Sequence, residues 1–346
     1  MNNGIKRNIK CVVWDLDETI WEGVLSENDN LTLRPGIKGI IEILDNRGIL
    51  NSIASRNNAD EALVKLKSFS MREYFVYPQI SWNAKSEAIR NIKEKLNIAY
   101  NTIAFIDDQE YELAEVRSMH PEVCCYGVSE IEGLLKMDEL SPALLTEEAQ
   151  NRRLLYQADE KRSNEELMFE NNVDFLFSLK MKLSIKSATV DDLKRVEELT
   201  LRTNQLNATG YTFSYQELES LMNSKDNKIF VVELEDKFGS YGKVGVTLLK
   251  ITSSAIIIKL LLISCRVISR GIGNILISRI INLGLSENKK ILAEFLPTAS
   301  NKLMYLTYKF SNFKELEELQ GNGTLLEYRG PADSLIPFPP YMDVIT

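Results

Sequence analysis

The chain has 346 residues, enough at roughly 150 residues per domain for about two hydrophobic cores. Hydrophobic residues make up 44% and charged residues 26%, and 41 Lys and Arg against 49 Asp and Glu leave a net charge of −8; this excludes a disordered or collagen-like chain and argues against broad binding to nucleic acid or an anionic membrane. The single histidine, His120, removes serine-hydrolase triads, Cys–His proteases and multi-histidine metal sites from consideration.

Ile9 to Leu16 (IKCVVWDL) reads as a buried strand that ends in acidic residues. Gly36 to Arg47 has helical spacing and stops at Gly48, Ile49 to Ala54 is a strand, Asn58 to Phe69 and Ser86 to Leu96 are helices, and Thr102 to Ile106 is a strand. Strands alternating with helices predict an α/β unit over residues 1–140, with a parallel sheet and its ligands at the carboxyl ends of the strands. Residues 141–181, rich in Glu, Arg, Asn and Gln, read as connecting helices. The pattern restarts over 182–320 as an α+β unit: strand LSIKSAT, helices Val190 to Leu201 and Tyr215 to Met222, strands Ile229 to Glu235, Lys243 to Ile251 and Ala255 to Ile263. A loop at Ser269 to Gly273, a helix to about Leu285, strand Lys290 to Phe295 and helix Lys302 to Lys309 follow. Residues 321–346, with Pro331, Pro337, Pro339 and Pro340, read as an irregular tail. AIIIKLLLI (255–263) is too short to cross a bilayer. Cys11, Cys124, Cys125 and Cys265 lack CxxC spacing, which with no signal-peptide pattern predicts free thiols and a cytoplasmic protein.

Asp15-Leu16-Asp17-Glu18-Thr19 places two carboxylates at i and i+2 where a strand enters a loop, so both reach one point at its tip. Crowded carboxylates favour a hard divalent cation such as Mg²⁺; alone, a DxD is also what a solvated acidic loop looks like. Ser55 after a strand, Lys85 before a helix and Asp107-Asp108 after another strand lie at or near the same edge. In that order they supply a nucleophile, a phosphate donor, a cationic clamp and metal ligands.

The set resembles the haloacid dehalogenase (HAD) phosphatase superfamily, a Rossmannoid fold. The resemblance implies that Asp15 attacks phosphorus, Asp17 serves as general acid and then base, and Thr19 orients the phosphate loop. Ser55 and Lys85 would hold phosphate oxygens, Asp15, Asp107 and the Asp17 carbonyl would ligate Mg²⁺, and Asp108 would steady the metal shell or Lys85. KCVVWDLDETIWEGVL (10–25), SIASRNN, the tryptophan before Lys85 and FIDDQEYELAEVR narrow this to the FkbH-like HAD family. LTLRTNQLNATG (199–210), KFGSYGKVGV (237–246) and LLISCRVISRGIG (261–273) extend it to nearly everything from Lys10 to Phe313. Glu18 stands where that family more often has Asn, and Arg56 where it usually has Lys.

That family implies a glyceryl transferase/phosphatase, which takes a three-carbon unit from 1,3-bisphosphoglycerate to the phosphopantetheine thiol of an acyl carrier protein in polyketide-type biosynthesis. The order of dephosphorylation and transfer, the carrier and the final product are not written in the sequence. The C-terminal half resembles the GNAT acyltransferase fold, whose CoA lies beside a splayed strand and a glycine-containing loop. The residues implied here are Arg270, Gly271 and Gly273 of that loop, with Tyr308 near the leaving thiol; Ile268 stands where the usual motif begins with Gln or Arg. Asn204, Gln205 and Asn207 would bind glyceryl hydroxyls or pantetheine amides, or else cap a helix. Arg266, Arg270, Lys302 and Lys309 are candidates to meet an acidic carrier. Cys265, beside Arg266 and before the glycine loop, is either the acyl acceptor or a structural thiol, whereas Cys11 is a core residue. Trp14, Trp21 and Trp82 are candidates to line the phosphatase pocket, with Trp14 equally a candidate for the core. Two rival readings are a phosphatase fused to a CoA-dependent N-acetyltransferase, and a noncatalytic scaffold that recruits carrier proteins.

Overall fold

The computed structural model describes residues 8–27, 30–142 and 145–346. Residues 1–7, 28–29 and 143–144, which belong to the expected 1–140 unit and the 141–181 connector, lie outside the described residues. Two compact units divide the chain, Met1–Glu160 and Lys161–Thr346.

In the first unit, β1 (Cys11–Trp14) is wholly buried and is followed by a small hairpin of β2 (Trp21–Glu22) and β3 (Thr32–Leu33). Helix α1 (Ile37–Asn46) buries Ile37, Ile41 and Leu44 at helical spacing and gives way to β4 (Leu50–Ser55) after Gly48. Gly48 has φ +68° and lies 2.7 Å, at its missing Cβ, from the Ala149 carbonyl, so turn and packing both call for glycine. Asn58 caps α2 (Ala59–Ser68) by accepting from the amides of Asp60 and Glu61. Then come β5 (Gln79–Ile80), α3 (Lys85–Leu96), β6 (Ile103–Asp107), α4 (Glu110–Met119) and β7 (Cys124–Gly127).

The strands form a parallel sheet in the order β5-β4-β1-β6-β7. Because the chain goes from β1 to one side and later returns to the other, β1 and β6 flank the point where strand order reverses, where an open α/β sheet leaves a crevice at its carboxyl edge. Trp14 is in register with Ile53 and Ile106, which puts Asp15 and Asp107 on neighbouring strand ends.

Helices α5 (Glu147–Gln150), α6 (Arg152–Glu166) and α7 (Asn172–Ser178) occupy the expected connector, with the division between the units falling inside α6. The second unit contains β8 (Met181–Ser187), α8 (Leu193–Arg202), α9 (Tyr215–Asn223), β9 (Asn227–Asp236), β10 (Gly239–Ile251), β11 (Ala255–Ile263), α10 (Ile272–Ser286), β12 (Lys290–Phe295), α11 (Lys302–Phe310), β13 (Phe313–Leu319), β14 (Gly323–Tyr328) and β15 (Met342–Ile345). These strands make one mixed sheet in the order β13-β14-β12-β11-β10-β9-β8-β15. The apolar run of β11 lies inside it, and Lys259 is neutralised there by Glu294 of β12.

The tail expected to be irregular is corrected: it supplies β14, paired with β12 and β13, and β15, parallel to β8. Backbone pairing recruits these segments around the prolines. Strand β13 escaped sequence reading because its middle five residues are exposed and mostly Glu, so no apolar alternation marks it. Residues Cys265–Arg270 form a 3-10 turn rather than an open loop. No helix of the described residues is long and apolar enough to cross a membrane.

Candidate active site

At the carboxyl edge of the parallel sheet, Asp15 is held by its own amide, which donates to the Ile106 carbonyl at 2.9 Å. Lys85, first residue of α3, sends its ammonium group between the strands. It pairs with Asp15, donates to the Ala54 carbonyl at 2.9 Å and to Asp107 Oδ2 at 3.0 Å. All three side chains are buried. Burial alone would lower the lysine's pKa, but the two carboxylates outweigh it and hold it above its usual range. Asp15 is nevertheless pushed up to about 7, by burial first and by the neighbouring charge of Asp107, with Lys85 pulling the other way. Asp108, more exposed, is pushed up to about 6, again by burial first and then Asp107.

One carboxylate oxygen from each of Asp15, Asp107 and Asp108 lies within 4.8 Å of the others. Three carboxylates against one ammonium leave an anionic, all-oxygen cluster, the donor set of a hard divalent cation such as Mg²⁺. The carboxylate of Asp17, whose backbone carbonyl is the atom expected at the metal, is not part of this group. It is fixed instead by three donors: Trp21 Nε1 at 2.7 Å and the Leu25 amide at 3.1 Å to Oδ1, and Asn57 Nδ2 at 3.0 Å to Oδ2.

Thr19 is fully buried, and its hydroxyl has no hydrogen-bond partner among the described residues. Its carbonyl accepts from Arg34 Nε at 2.8 Å, which ties this loop to the end of β3. Glu18 adopts φ +50°, a left-handed conformation that Asn enters more easily than Glu; its carboxylate closes the turn by accepting from the Gly23 amide at 2.9 Å. Ser55 Oγ accepts from Asn57 Nδ2 at 3.1 Å, leaving its hydroxyl hydrogen to donate. Arg56 pairs with the buried Glu112 at 3.2 Å.

The structure brings Asp15, Asp107, Asp108 and Lys85 together at one edge, along with Asn57, which sequence reading does not single out and which joins Ser55 to Asp17. Of the tryptophans, Trp14 is core and donates to Asn51 at 2.9 Å, Trp21 touches Asp17, and Trp82 is 72% exposed. His120 ends α4, where it stacks on Tyr100 at 4.3 Å.

In the second unit, β11 and β12 pair only from Ala255–Lys290 to Ile258–Ala293 and then part. The gap is filled by the chain itself. The Ala208 amide donates to the Leu261 carbonyl at 3.0 Å, the Ile263 amide to Leu206 at 2.9 Å, and the Leu296 amide to Ala208 at 3.1 Å. Asn301, fully buried, clamps this segment by donating to the carbonyls of Asn207, Leu296 and Ala208 at 3.0, 2.9 and 3.4 Å. Asn207, expected to meet substrate, spends its side chain internally: Oδ1 accepts from Thr209 and Gly210, and Nδ2 donates to Tyr211. Asn204 and Gln205 are exposed.

Asn301→Ala is expected to strip one donor from three buried carbonyls and destabilise the second unit by about 2–4 kcal/mol. Denaturant unfolding checks this; a change below about 1 kcal/mol would mean that the segment is held without Asn301.

A cleft of about 110 Å³ opens between the start of α10 and α11, lined by Leu206, Ile263, Ile268, Gly273, Met304 and Thr307 among others. Gly271, also on its wall, has φ +74° and lies 2.6 Å, at its missing Cβ, from the Tyr341 hydroxyl, so a side chain here would strain the backbone and displace that hydroxyl. Three of the expected ligands make contacts within the protein. Tyr308 is fully buried against Phe313, with its hydroxyl unpartnered among the described residues. Arg270 is buried over the Phe175 ring, 4.0 Å from Glu166. Arg266 donates to the Tyr241 carbonyl at 2.7 Å. Long side chains with apolar stems are drawn into the core wherever a carbonyl, carboxylate or ring can receive the head. Cys265 is half-buried at the start of the 3-10 turn, and all four cysteines are free thiols.

No protein-family model matches the chain, and no curated protein does. Among solved structures, residues amounting to 43% of the chain align with the N-terminal part of the protein BF1531 from Bacteroides fragilis, containing a phosphatase domain complexed with Mg, at 24% identity and a TM-score of 0.32. This alignment spans 40% of that structure. The ribosomal-protein-S18-alanine N-acetyltransferase from Escherichia coli aligns at 13% identity over 42% of the chain and 92% of its own length, TM-score 0.34. Spermidine N-acetyltransferase from Vibrio cholerae, in complex with CoA and spermine, aligns at 20% identity over 42% and 92%, TM-score 0.32. The chemistry of this chain is therefore read from its own atoms.

Proposed function

We propose that the chain is a two-unit enzyme, a Mg²⁺-dependent HAD-type phosphatase joined to a GNAT-like acyltransferase, acting as a glyceryl transferase/phosphatase on an acyl carrier protein. The observation that carries the phosphatase half is the buried meeting of Asp15, Lys85 and Asp107, with Asp108 beside them, at the strand-order reversal. Mg²⁺ held by Asp15, Asp107 and Asp108 would offset the charge of a phosphoryl group brought among carboxylates.

The chain's own residues then divide the work. A carboxylate oxygen of Asp15 attacks phosphorus, the bond to the substrate oxygen breaks, and that oxygen takes a proton from Asp17. Water, deprotonated by Asp17, afterwards releases phosphate and restores Asp15. Lys85 stabilises the charge that builds on the transferring group, and Ser55 donates to one of its oxygens. The hairpin that holds Asp17 through Trp21 is the natural lever for setting its orientation.

For the transfer half, a thiolate attacks the acyl-phosphate carbonyl of 1,3-bisphosphoglycerate, forming a thioester and expelling phosphate, while the C3 phosphate ester remains for the Asp15 site. Cys265 or the carrier's phosphopantetheine is the thiol. Leu206–Ala208 occupies the β11 edge beyond its split from β12; the pantetheine of CoA and that of a carrier protein bear the same amides, so the choice between the CoA-dependent N-acetyltransferase reading and the carrier reading falls to the experiment below. A scaffold without activity would have no use for three crowded carboxylates around a buried lysine.

The test is intact mass spectrometry of a holo acyl carrier protein incubated with the enzyme, Mg²⁺ and enzymatically generated 1,3-bisphosphoglycerate. A glyceryl adduct is expected, lost with EDTA or replaced by its phosphorylated form, and reduced by Cys265→Ala if that thiol relays the acyl group. No adduct on several competent carriers would sink the glyceryl assignment and favour the CoA-dependent reading.

A further inference from the structure

Ser86, the residue after Lys85, is gripped at its amide, hydroxyl and carbonyl by side chains of α4 and its cap. The amide donates to Glu115 Oε2 at 3.1 Å and the hydroxyl to Glu115 Oε1, so one carboxylate takes both donors. The carbonyl lies 3.0 Å from His120 Nε2; a carbonyl can only accept, so this ring nitrogen carries a proton and donates. Stacking on Tyr100, at 4.3 Å and 16° between planes, keeps the imidazole in place.

The grip falls where α3 needs it. The first amides of a helix have no partner within the helix, and Ala84, ahead of α3, has no side chain able to cap them. Glu115 supplies the cap from α4, with a carboxylate at the positive end of the α3 dipole. Ser, Thr, Asp or Asn at position 84 would have capped α3 from within; a cap from α4 ties the start of one helix to another instead. The far end of that tie is the carboxylate cluster: the amide of Gln109, which caps α4, donates to Asp107 Oδ1 at 2.9 Å. Helix α4 therefore holds Asp107 at its start and the backbone beside Lys85 with its second half.

Lys85 tolerates little movement of that backbone. Its ammonium group has three hydrogens, and Asp15, the Ala54 carbonyl and Asp107 take them all. A shift at the start of α3 gives up one of these bonds or turns the ammonium away from the point where phosphorus is attacked.

We propose that Glu115, with His120 as a second hold, is a positioning residue of the phosphatase site: acting through Ser86, it sets the Lys85 ammonium against Asp107 and the transferring phosphoryl group. This rests on the phosphatase reading and adds two residues that act through another.

Phosphate release from p-nitrophenyl phosphate by the full chain with Mg²⁺ is measured beside thermal unfolding. Glu115→Ala is expected to lower kcat by about 10–10²-fold, the cost of a catalytic group displaced by up to about 1 Å. The Mg²⁺ concentration for half-maximal activity should change less than about threefold, because the carboxylates stay where they are. Glu115→Gln keeps an acceptor for the amide and a donor to the hydroxyl oxygen, and is expected to hold kcat within about threefold of wild type. His120→Ala should lower kcat by a smaller factor than Glu115→Ala. The control is Val116→Ala, a fully buried residue of the same helix with no polar atom to hold Ser86, which should lower Tm yet leave kcat within about threefold. Glu115→Ala within threefold of wild type, Glu115→Gln as slow as Glu115→Ala, Val116→Ala equally slow, or a tenfold shift in the Mg²⁺ requirement overturns the positioning role and leaves the phosphatase in place. An unchanged kcat in His120→Ala overturns the part given to His120. A wild type that does not hydrolyse the probe overturns the phosphatase reading and the positioning role with it.

Discussion

Asp15→Asn is expected to lower phosphatase kcat by about 10³-fold or more, because the amide cannot attack phosphorus and no neighbour can replace it. Asp107, which ends β6, and Asp108, which follows it, are nearby but on the other side of the reversal point, and Asp17 is tied by Trp21, Leu25 and Asn57. The fold should survive. Asp15 is buried with a carboxylate neighbour that raises its pKa, so an uncharged isostere relieves repulsion as it gives up the pairing with Lys85. Phosphate release assayed beside thermal unfolding separates the two effects. Activity within tenfold of wild type, with the fold intact, would show that Asp15 is not the nucleophile.

Lys85→Met acts in the opposite way, on structure and chemistry together. The ammonium is 4% exposed and holds Asp15, Asp107 and the Ala54 carbonyl. Removing it leaves two buried carboxylates facing one another, for which about 3–5 kcal/mol of destabilisation is expected. In a unit of this size that is a fall in Tm of about 10 °C. Activity should fall by about 10²–10³-fold, the usual cost of losing a donor to developing negative charge. Mg²⁺ should restore part of the stability but little of the activity, since a dication can offset the carboxylates without supplying the lost hydrogen bonds. A variant as stable as wild type without metal would mean that the carboxylates do not depend on Lys85.

Much of the candidate site was legible before any coordinates. A strand that ends in DxD announces two carboxylates at a sheet edge, because side-chain direction has period two and buried strands stop where charge begins. Motif order places Ser55, Lys85 and Asp107 at the same edge, because parallel strands put all their carboxyl ends on one side. Asn57 was overlooked because a loop asparagine carries no pattern: its role exists only once Ser55 and Asp17 are near.

The C-terminal half shows the limit more sharply. Asn207, Arg266, Arg270 and Tyr308 lie in segments that sequence marks as special, and each is engaged internally or buried in the core. A motif shows that a residue is needed, but not whether substrate or protein uses it.

By itself, then, the sequence determined two α/β-type units, the order and edge position of the acidic and basic residues, and the reach of the apolar strands. These follow from local periodicity and from the charge balance, which neighbouring residues set. Only the tertiary structure decided that Lys85 would be shared between carboxylates 70 and 22 positions away, and that the chain would fill the split beside β11. It also decided that Glu115 and His120 would grip Ser86. Those outcomes depend on which distant groups packing brings into contact, since a buried polar group must be paired where it lies.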